Sequence, residues 1–295
     1  VDYLAISKET LLQKVVASDI VKSQGNAREY KESIIAGFRK EWKGKELHGH
    51  YARDTENVMC KQKTFGWLKS GVLKKETEGL ILAAQDQALR TNAIKAKIDK
   101  QSCSALCRLC GEKDETVDHL VSGCSKIAQT DYKGRHDKVA SSLHWSLCEQ
   151  YGFKRSEKWY QHRAEKVLEN DCYKMLWDFD VKTDRVISAR RPDLLIVDKT
   201  KREALIVDVA IPGDARIVNK HTEKQQKYQD LAVEIQRIWE LKKVKVIPVV
   251  IGALGAVSPQ LTQSLKDLKV DDVPVQVLQR SALLGTAHLL QKYLN

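Results

Sequence analysis

Two short apolar stretches constrain the fold of this chain more than any other part of its sequence. They occupy positions 194–197 and 204–207, are rich in Leu, Ile and Val, and are separated by the polar residues 198–203. Apolar runs of this length and composition, joined by a polar connector, predict a β-hairpin. The sequence therefore predicts a sheet with two adjacent antiparallel strands in the second half of the chain.

An aspartate stands at each outer end of this hairpin. With Thr200 and Lys201 as the turn, Asp193 lies directly opposite Asp208. Facing residues of an antiparallel pair have Cβ atoms about 4.5–5.5 Å apart. Two carboxylates that close repel each other and are costly to desolvate, unless a divalent metal ion or a lysine compensates them. The alternative is that both acids lie at solvated strand ends.

The composition describes a basic globular chain. Its 295 residues carry a formal net charge of +11, with 42% hydrophobic and 30% charged residues. This charge favours an anionic partner such as nucleic acid, the alternative being a basic protein without such a partner. There is no apolar N-terminal signal, and the longest apolar run, 246–257, is too short to span a bilayer, so we expect no membrane association. Because the sequence starts at Val1 without Met, we expect a piece of a longer polypeptide.

The pattern along the chain predicts three parts and a mixed α/β fold class. Residues 1–100 have helical periodicity, with a helix predicted over 76–98, and 101–128 form a compact insert. Residues 129–295 predict a helix, three meandering strands, a long helix over 219–242, a buried strand and further helices. Within this last part, Ser258 before Pro259 predicts a helix start.

The insert contains the most specific motif of the sequence. Cys107, Cys110, His119 and Cys124 follow the spacing Cys-x2-Cys-x8-His-x4-Cys, which matches a four-coordinate structural zinc site. Three thiolates and one imidazole leave no open coordination position, so the predicted ion is structural. Cys103 is an alternative ligand, and chance spacing is the alternative to a site. We expect the remaining cysteines to be core or free thiols; these are Cys60, Cys148 and Cys172.

Two lysines lie on the same face of the predicted long helix as its apolar residues. Stepping back from Leu231 by four and seven residues gives Lys227 and Lys224. Lysines in line with a buried stripe either extend their ammonium groups to solvent or approach an anionic group. Two acids that hold a divalent cation and a lysine that stabilises a phosphate would form a phosphodiester hydrolase site. A simple amphipathic helix edge is the alternative.

These residues resemble a known nuclease family. Pro192-Asp193, fourteen residues and Asp208 resemble the PD-(D/E)xK pattern, although Ala210 stands where that motif has lysine. A lysine displaced onto the following helix resembles the variant in the restriction-like endonuclease of site-specific non-LTR retrotransposons. The Cys-Cys-His-Cys insert and the tripeptide 135–137 are similar to the C-terminal region of that family. Residues 67–88 are similar to the helical linker that follows its reverse transcriptase.

The resemblance implies a fold, an activity and partners. It implies a helical linker over 1–100, a zinc knuckle over 101–128 and a restriction-endonuclease-like domain over 129–295. It further implies a nuclear enzyme that nicks target DNA with Mg²⁺ or Mn²⁺ for target-primed reverse transcription, together with element RNA and an upstream reverse transcriptase domain.

The same resemblance assigns roles to individual residues. It makes Asp193 and Asp208 metal ligands and Lys224 or Lys227 the group that supports the phosphate. The upstream acid of the motif is left open between Glu149 and Glu165. The candidate nucleic-acid contacts are Arg135, His136, Arg190 and Arg191. Two other classes remain open, a nucleic-acid-binding module with a decayed nuclease site and a zinc domain that makes only protein contacts.

Overall fold

The computed structural model describes residues 27–270 and 273–294, which form a mixed α/β structure. It contains a five-stranded sheet: β1 Val167–Glu169, β2 Tyr173–Trp177, β3 Leu194–Asp198, β4 Glu203–Ala210 and β5 Lys243–Val250. Eleven α-helices lie in the described residues: α1 Ala27–Gly44, α2 His50–Thr55, α3 Lys61–Thr64, α4 Gly66–Ser70, α5 Lys75–Gln85, α6 Asn92–Lys97, α7 Lys133–Gln150, α8 Ile217–Lys227, α9 Gln229–Ile238, α10 Pro259–Asp267 and α11 Val273–Leu294. None of the helices in these ranges is both long and apolar enough to cross a membrane.

The sheet follows chain order, β1-β2-β3-β4-β5. Its first four strands are antiparallel, and β5 runs parallel to β4 after the crossover through α8 and α9. In the β3–β4 hairpin Leu194 pairs with Val207, which confirms the predicted register. The predicted strands all form, with slightly different ends, whereas the short β1 was not predicted. The predicted start of α10 is also confirmed, since the Ser258 hydroxyl accepts a hydrogen bond from Leu261 N.

Both faces of the sheet are covered by helices. On one face, side chains from β3, β4 and β5 pack against α7, α10 and α11, including the fully buried Leu143, Leu261 and Leu278. On the other face, Tyr228 and the stripe of α9 pack over Leu195 and Ile206. The two strands of the hairpin are therefore buried, and their outer end, where Asp193 and Asp208 lie, is held between α7 and α8.

The predicted helices in two regions are shorter than expected. The segment predicted as one helix over 76–98 forms α5 and α6, and the one predicted over 219–242 forms α8 and α9, with a break at Tyr228. The predictions for residues 1–26 lie outside the described residues.

Trp67 of α4, Leu120 of the insert and Leu283 of α11 belong to one hydrophobic cluster, so the helical segment, the insert and the C-terminal helix share a core.

Asp214 connects these parts through a buried carboxylate. Its Oδ2 accepts a hydrogen bond from Leu254 N at 2.8 Å, and its Oδ1 accepts from Ala256 N at 2.7 Å and from the hydroxyl of Tyr51 at 3.2 Å. A side chain at Gly252 would collide with this carboxylate, since an added Cβ would lie 2.3 Å from Oδ1. The turn after β5 and helix α2 are thus held by one acid.

We expect Asp214→Ala to lower the free energy of unfolding by about 3 kcal/mol, because it leaves buried N–H donors without an acceptor. Denaturant unfolding of the variant measures this loss, and Asp230→Ala, at an exposed aspartate of α9, is the matched control. A loss no larger than that of the control would show that these hydrogen bonds do not stabilise the fold.

Candidate active site and metal centre

Asp208 is the buried acid of the sheet edge. Only 4% of its side chain is exposed, so the alternative of a solvated strand end does not hold for this residue. The Tyr228 hydroxyl donates to Oδ1 at 2.6 Å, and Lys224 Nζ lies 2.6 Å from Oδ2. Burial, followed by the charge of Asp208, raises the pKa of Tyr228 well above its ordinary value, which keeps the phenol protonated as a donor. This contact was not predicted from the sequence.

Asp193 is held at the end of β3 by groups from two other elements. Its Oδ2 accepts a hydrogen bond from Val209 N at 2.7 Å and lies 3.1 Å from His136 Nε2 on α7. Among the described residues, no hydrogen bond reaches its Oδ1. The carboxylate is 21% exposed, so Asp193 combines a fixed oxygen with one that is open to a ligand.

The hydrogen-bond partners of His136 within the described residues are all acceptors. Its Nε2 faces Asp193 Oδ2 and the carbonyl oxygen of Val209, and its Nδ1 lies 3.1 Å from Asp137 Oδ1. An imidazolium donates from both nitrogens and satisfies all of these acceptors. Burial opposes the charged form, but the hydrogen bonds and charges of Asp193 and Asp137 outweigh it and raise the pKa of His136 to about 9. In this structure His136 therefore orients Asp193 with both nitrogens occupied.

The two candidate lysines lie at different distances from Asp208. Lys224 Nζ is 2.6 Å from Oδ2 and its side chain is 16% exposed, whereas Lys227 Nζ is 4.0 Å from Oδ1 and its side chain is 42% exposed. Lys227 also donates to the hydroxyl of Tyr228 at 3.0 Å. The predicted alternative of a solvated helix edge therefore does not describe Lys224, whereas Lys227 remains exposed to solvent at the edge of α8.

The acids have the chemistry that a small divalent cation requires. Mg²⁺ and Mn²⁺ prefer carboxylate oxygens and are often held in proteins by only one or two of them. Asp208 Oδ2 is buried and contacts Lys224 Nζ at 2.6 Å, an ion pair that a bound cation would replace. Together with Oδ1 of Asp193 it provides the two carboxylate oxygens that the acids offer to such an ion. These two residues therefore fit such an ion.

Arg135, predicted to contact phosphate, is buried. Its guanidinium donates to the hydroxyl of Thr286 and to the carbonyl oxygen of Val121, both at 2.8 Å, and more weakly to that of Ile211. Burial lowers its pKa to about 10. The structure therefore corrects this prediction, because the side chain is used inside the protein to join the insert to α11.

Arg190 and Arg191 remain exposed beside the site. Arg191 forms two hydrogen bonds with Asp178, at 2.6 and 2.7 Å, and Arg190 pairs with Asp180 at 2.9 Å. More than half of each arginine side chain is exposed, so both can contact a phosphate backbone. Ion pairs this exposed are weak and exchange readily for other anions.

Neither candidate for the upstream acid lies at Asp193. Glu149 is thirteen residues beyond His136 on the same helix, about 20 Å away along its axis, and pairs with Arg155. Glu165 is exposed and acts electrostatically on Cys148 and His162 at the far end of that helix. The acid that α7 brings to the site is Asp137, through its contact with His136.

The four residues of the predicted knuckle converge into a group that can hold a metal ion. The ligand atoms of Cys107, Cys110, His119 and Cys124 all lie within 4.8 Å of one another. Cys107 Sγ is 4.0 Å from Cys124 Sγ, and Cys110 Sγ is 3.3 Å from His119 Nε2. Tetrahedral zinc with Zn–S of about 2.3 Å and Zn–N of about 2.0 Å would give separations of about 3.8 and 3.5 Å. Cys103 is exposed and lies outside the group.

The thiols of this group differ in environment. Hydrogen bonding by the Glu112 backbone, although opposed by burial, lowers the pKa of Cys110. Burial raises the pKa of Cys124 to about 11. Coordination to a metal ion deprotonates thiols of either kind, so the affinity for the ion depends on pH.

A salt bridge between Arg108 and the buried Glu115 connects the knuckle to the rest of the protein. Glu115 is fully buried and accepts hydrogen bonds from the Arg108 guanidinium at 2.7 and 2.8 Å, as well as from the backbone N–H of Asn92. The same guanidinium donates to the carbonyl oxygen of Tyr293 in α11. The position of the knuckle is therefore fixed at α6 and at α11.

Comparison with models of protein families finds none that matches this chain, and comparison with curated proteins finds no match either.

Proposed function

We propose that this chain is a Mg²⁺- or Mn²⁺-dependent DNA endonuclease with a restriction-endonuclease-like domain. Following the resemblance described above, we assign it to the C-terminal region of a site-specific non-LTR retrotransposon protein, with zinc in the knuckle. The observation that carries the proposal is the buried Asp208, which lies beside the open Asp193 and in contact with Lys224.

Each side chain of this site would have a separate role in phosphodiester hydrolysis. Asp193 and Asp208 would hold the divalent cation, which supplies Lewis-acid stabilisation when bound. Tyr228 and His136 orient the two acids through hydrogen bonds to Oδ1 of Asp208 and Oδ2 of Asp193. Lys224, released from its ion pair when the cation binds, would place a positive charge on the phosphate where negative charge develops.

The proposed binding partners rest on the positive net charge of the chain and on the family resemblance. A net charge of +11 and the exposed Arg190 and Arg191 favour a polyanion, which we propose is target DNA together with element RNA. An upstream reverse transcriptase domain and a nuclear location complete the proposal. Specific phosphate contacts would position the duplex without reading its sequence.

The two lysines are distinguished by substitution. We expect Lys224→Ala to slow DNA nicking by about 100-fold, as for the loss of one group that stabilises the transition-state charge. Lys227→Ala, one turn further along the same helix, is the matched control and should lose less than about 10-fold. Initial rates on supercoiled plasmid measure both effects. The reverse order would reassign the role to Lys227.

Nicking of supercoiled plasmid by the whole chain tests the proposed function. We expect conversion to open circles with Mg²⁺ or Mn²⁺ and none when Ca²⁺ replaces them. Gel-shift titrations at two salt concentrations run beside it, since counterion release makes nucleic-acid binding weaken strongly with salt. Tight, salt-sensitive binding without nicking in any metal would favour the module with a decayed nuclease site. The absence of both would favour a zinc domain for protein contacts.

A further inference from the structure

A second group of metal-ligating side chains lies on α7, away from the site described above. His144 and Cys148 are one helical turn apart, and His162 approaches them from the loop after the short turn Trp159–Gln161. The three ligand atoms lie within 4.8 Å of one another. Cys148 is twelve residues beyond His136, so this group lies about 18 Å along the helix from the nuclease site.

One of the two separations between these ligand atoms matches zinc coordination, and the other is shorter. His144 Nδ1 is 3.4 Å from Cys148 Sγ, which compares with 3.3 Å between the sulfur and nitrogen of Cys110 and His119 in the knuckle. His144 Nδ1 is also 2.7 Å from His162 Nε2. Two nitrogen ligands of one tetrahedral zinc ion lie about 3.3 Å apart. A movement of about 0.6 Å by the loop histidine would accommodate the ion, since His162 is only half-buried.

Two of these three side chains are buried, and burying polar groups without partners costs free energy. His144 and Cys148 are 1% and 0% exposed. The other ring nitrogen of His144, Nε2, forms no hydrogen bond within the described residues, and the ring meets Trp177 edge-on. The polar interactions of this imidazole are therefore concentrated at Nδ1, which faces a nitrogen and a sulfur. Because two nitrogens 2.7 Å apart cannot both carry a proton, at least one of them presents a lone pair.

We propose that His144, Cys148 and His162 bind a second zinc ion. Imidazole and thiolate are the ligands that zinc prefers, and two ligands one turn apart on a helix share one face. This proposal is independent of the nuclease activity.

Such an ion would fasten the segment 152–166 to α7. This segment contains little regular secondary structure, and it contacts the helix through both backbone and side-chain groups. Arg155 stacks on Trp145 at 3.7 Å, Trp145 donates to the carbonyl oxygen of Ser156, and Ser141 donates to that of His162. The ion would add a link at the end of the segment that leads into β1, the edge strand of the sheet.

The zinc content of the purified, dialysed protein tests this proposal. We expect about two zinc ions per chain. Cys148→Ser and His162→Asn should each retain only the knuckle ion, about one per chain. Cys172→Ser, at an exposed cysteine outside both groups, is the control and should keep both ions. About one ion in the parent, unchanged in Cys148→Ser, would overturn the proposal and identify the group as hydrogen-bonded histidines.

Exchange of the bound zinc for cobalt in the parent protein tests the proposal without relying on how the variants fold. A site with three thiolates gives a stronger sulfur-to-cobalt absorption band than a site with one thiolate. We expect two successive phases, a strong band from the knuckle and a weaker band from the second group. A single strong phase, with no further cobalt bound, would overturn the proposal.

Discussion

Asp208→Asn abolishes metal-dependent nicking and leaves DNA affinity unchanged, if Asp208 is a ligand of the catalytic cation. We expect a loss of at least about 100-fold in the nicking rate, because the substitution removes a charged ligand from a buried position. Asparagine keeps an oxygen that can accept the hydrogen bond from Tyr228, so the local packing is preserved. Plasmid nicking rates and gel-shift affinities, measured on the same preparations, separate chemistry from binding.

Asp230→Asn is the matched control for this substitution. It makes the same chemical change at an exposed position in the first turn of α9, close in sequence to Lys227. We expect parental nicking from it. If Asp208→Asn nicked as fast as this control, Asp208 would have no role in the reaction and the buried contact with Lys224 would be structural.

The second large effect that we expect is a loss of protein stability when the metal ion of the knuckle is removed. We expect Cys124→Ser to lower the free energy of unfolding by about 4–5 kcal/mol or more, because structural zinc contributes directly to folding. The loss would spread beyond the insert. Cys124 and Leu120 pack in the same cluster as Trp67 and Leu290, so this core joins the insert to α4 and to α11.

Cys103→Ser is the control for the knuckle, since Cys103 is exposed and lies outside the ligand group. Thermal unfolding, followed with and without a zinc chelator, should show the parent and this control destabilised by the chelator, and Cys124→Ser insensitive to it. Equal stability of Cys124→Ser and the parent in excess zinc would contradict a structural role for the ion.

The sequence was most informative where local pattern determines structure. The register of the β3–β4 hairpin follows from two Ile- and Val-rich runs and one polar turn, because the position of the turn determines which residues of the two strands face each other. The knuckle ligands follow from spacing alone. The group at His144 and Cys148 had a weaker local signal, a histidine and a cysteine four residues apart, because its third member, His162, lies in an irregular loop.

Other features depend on contacts between segments that are distant in the sequence. Arg135 is buried because its acceptors come from three different segments, at Val121, Ile211 and Thr286. The break between α8 and α9 has no glycine or proline to indicate it, and it occurs at Tyr228, whose hydroxyl is held by Asp208. Strand β1 has only three residues and two of them are exposed, so its pattern gives no signal.

Binding of Mn²⁺ to the zinc-loaded protein is the measurement that tests the central claim most directly, because it does not require the target DNA to be loaded. The loss of the free Mn²⁺ electron paramagnetic resonance signal reports binding. We predict that the parent and Asp230→Asn bind Mn²⁺ alike and that Asp193→Asn and Asp208→Asn both lose this binding. Mn²⁺ binding that is unchanged in both of these variants would contradict the claim that Asp193 and Asp208 hold the catalytic cation.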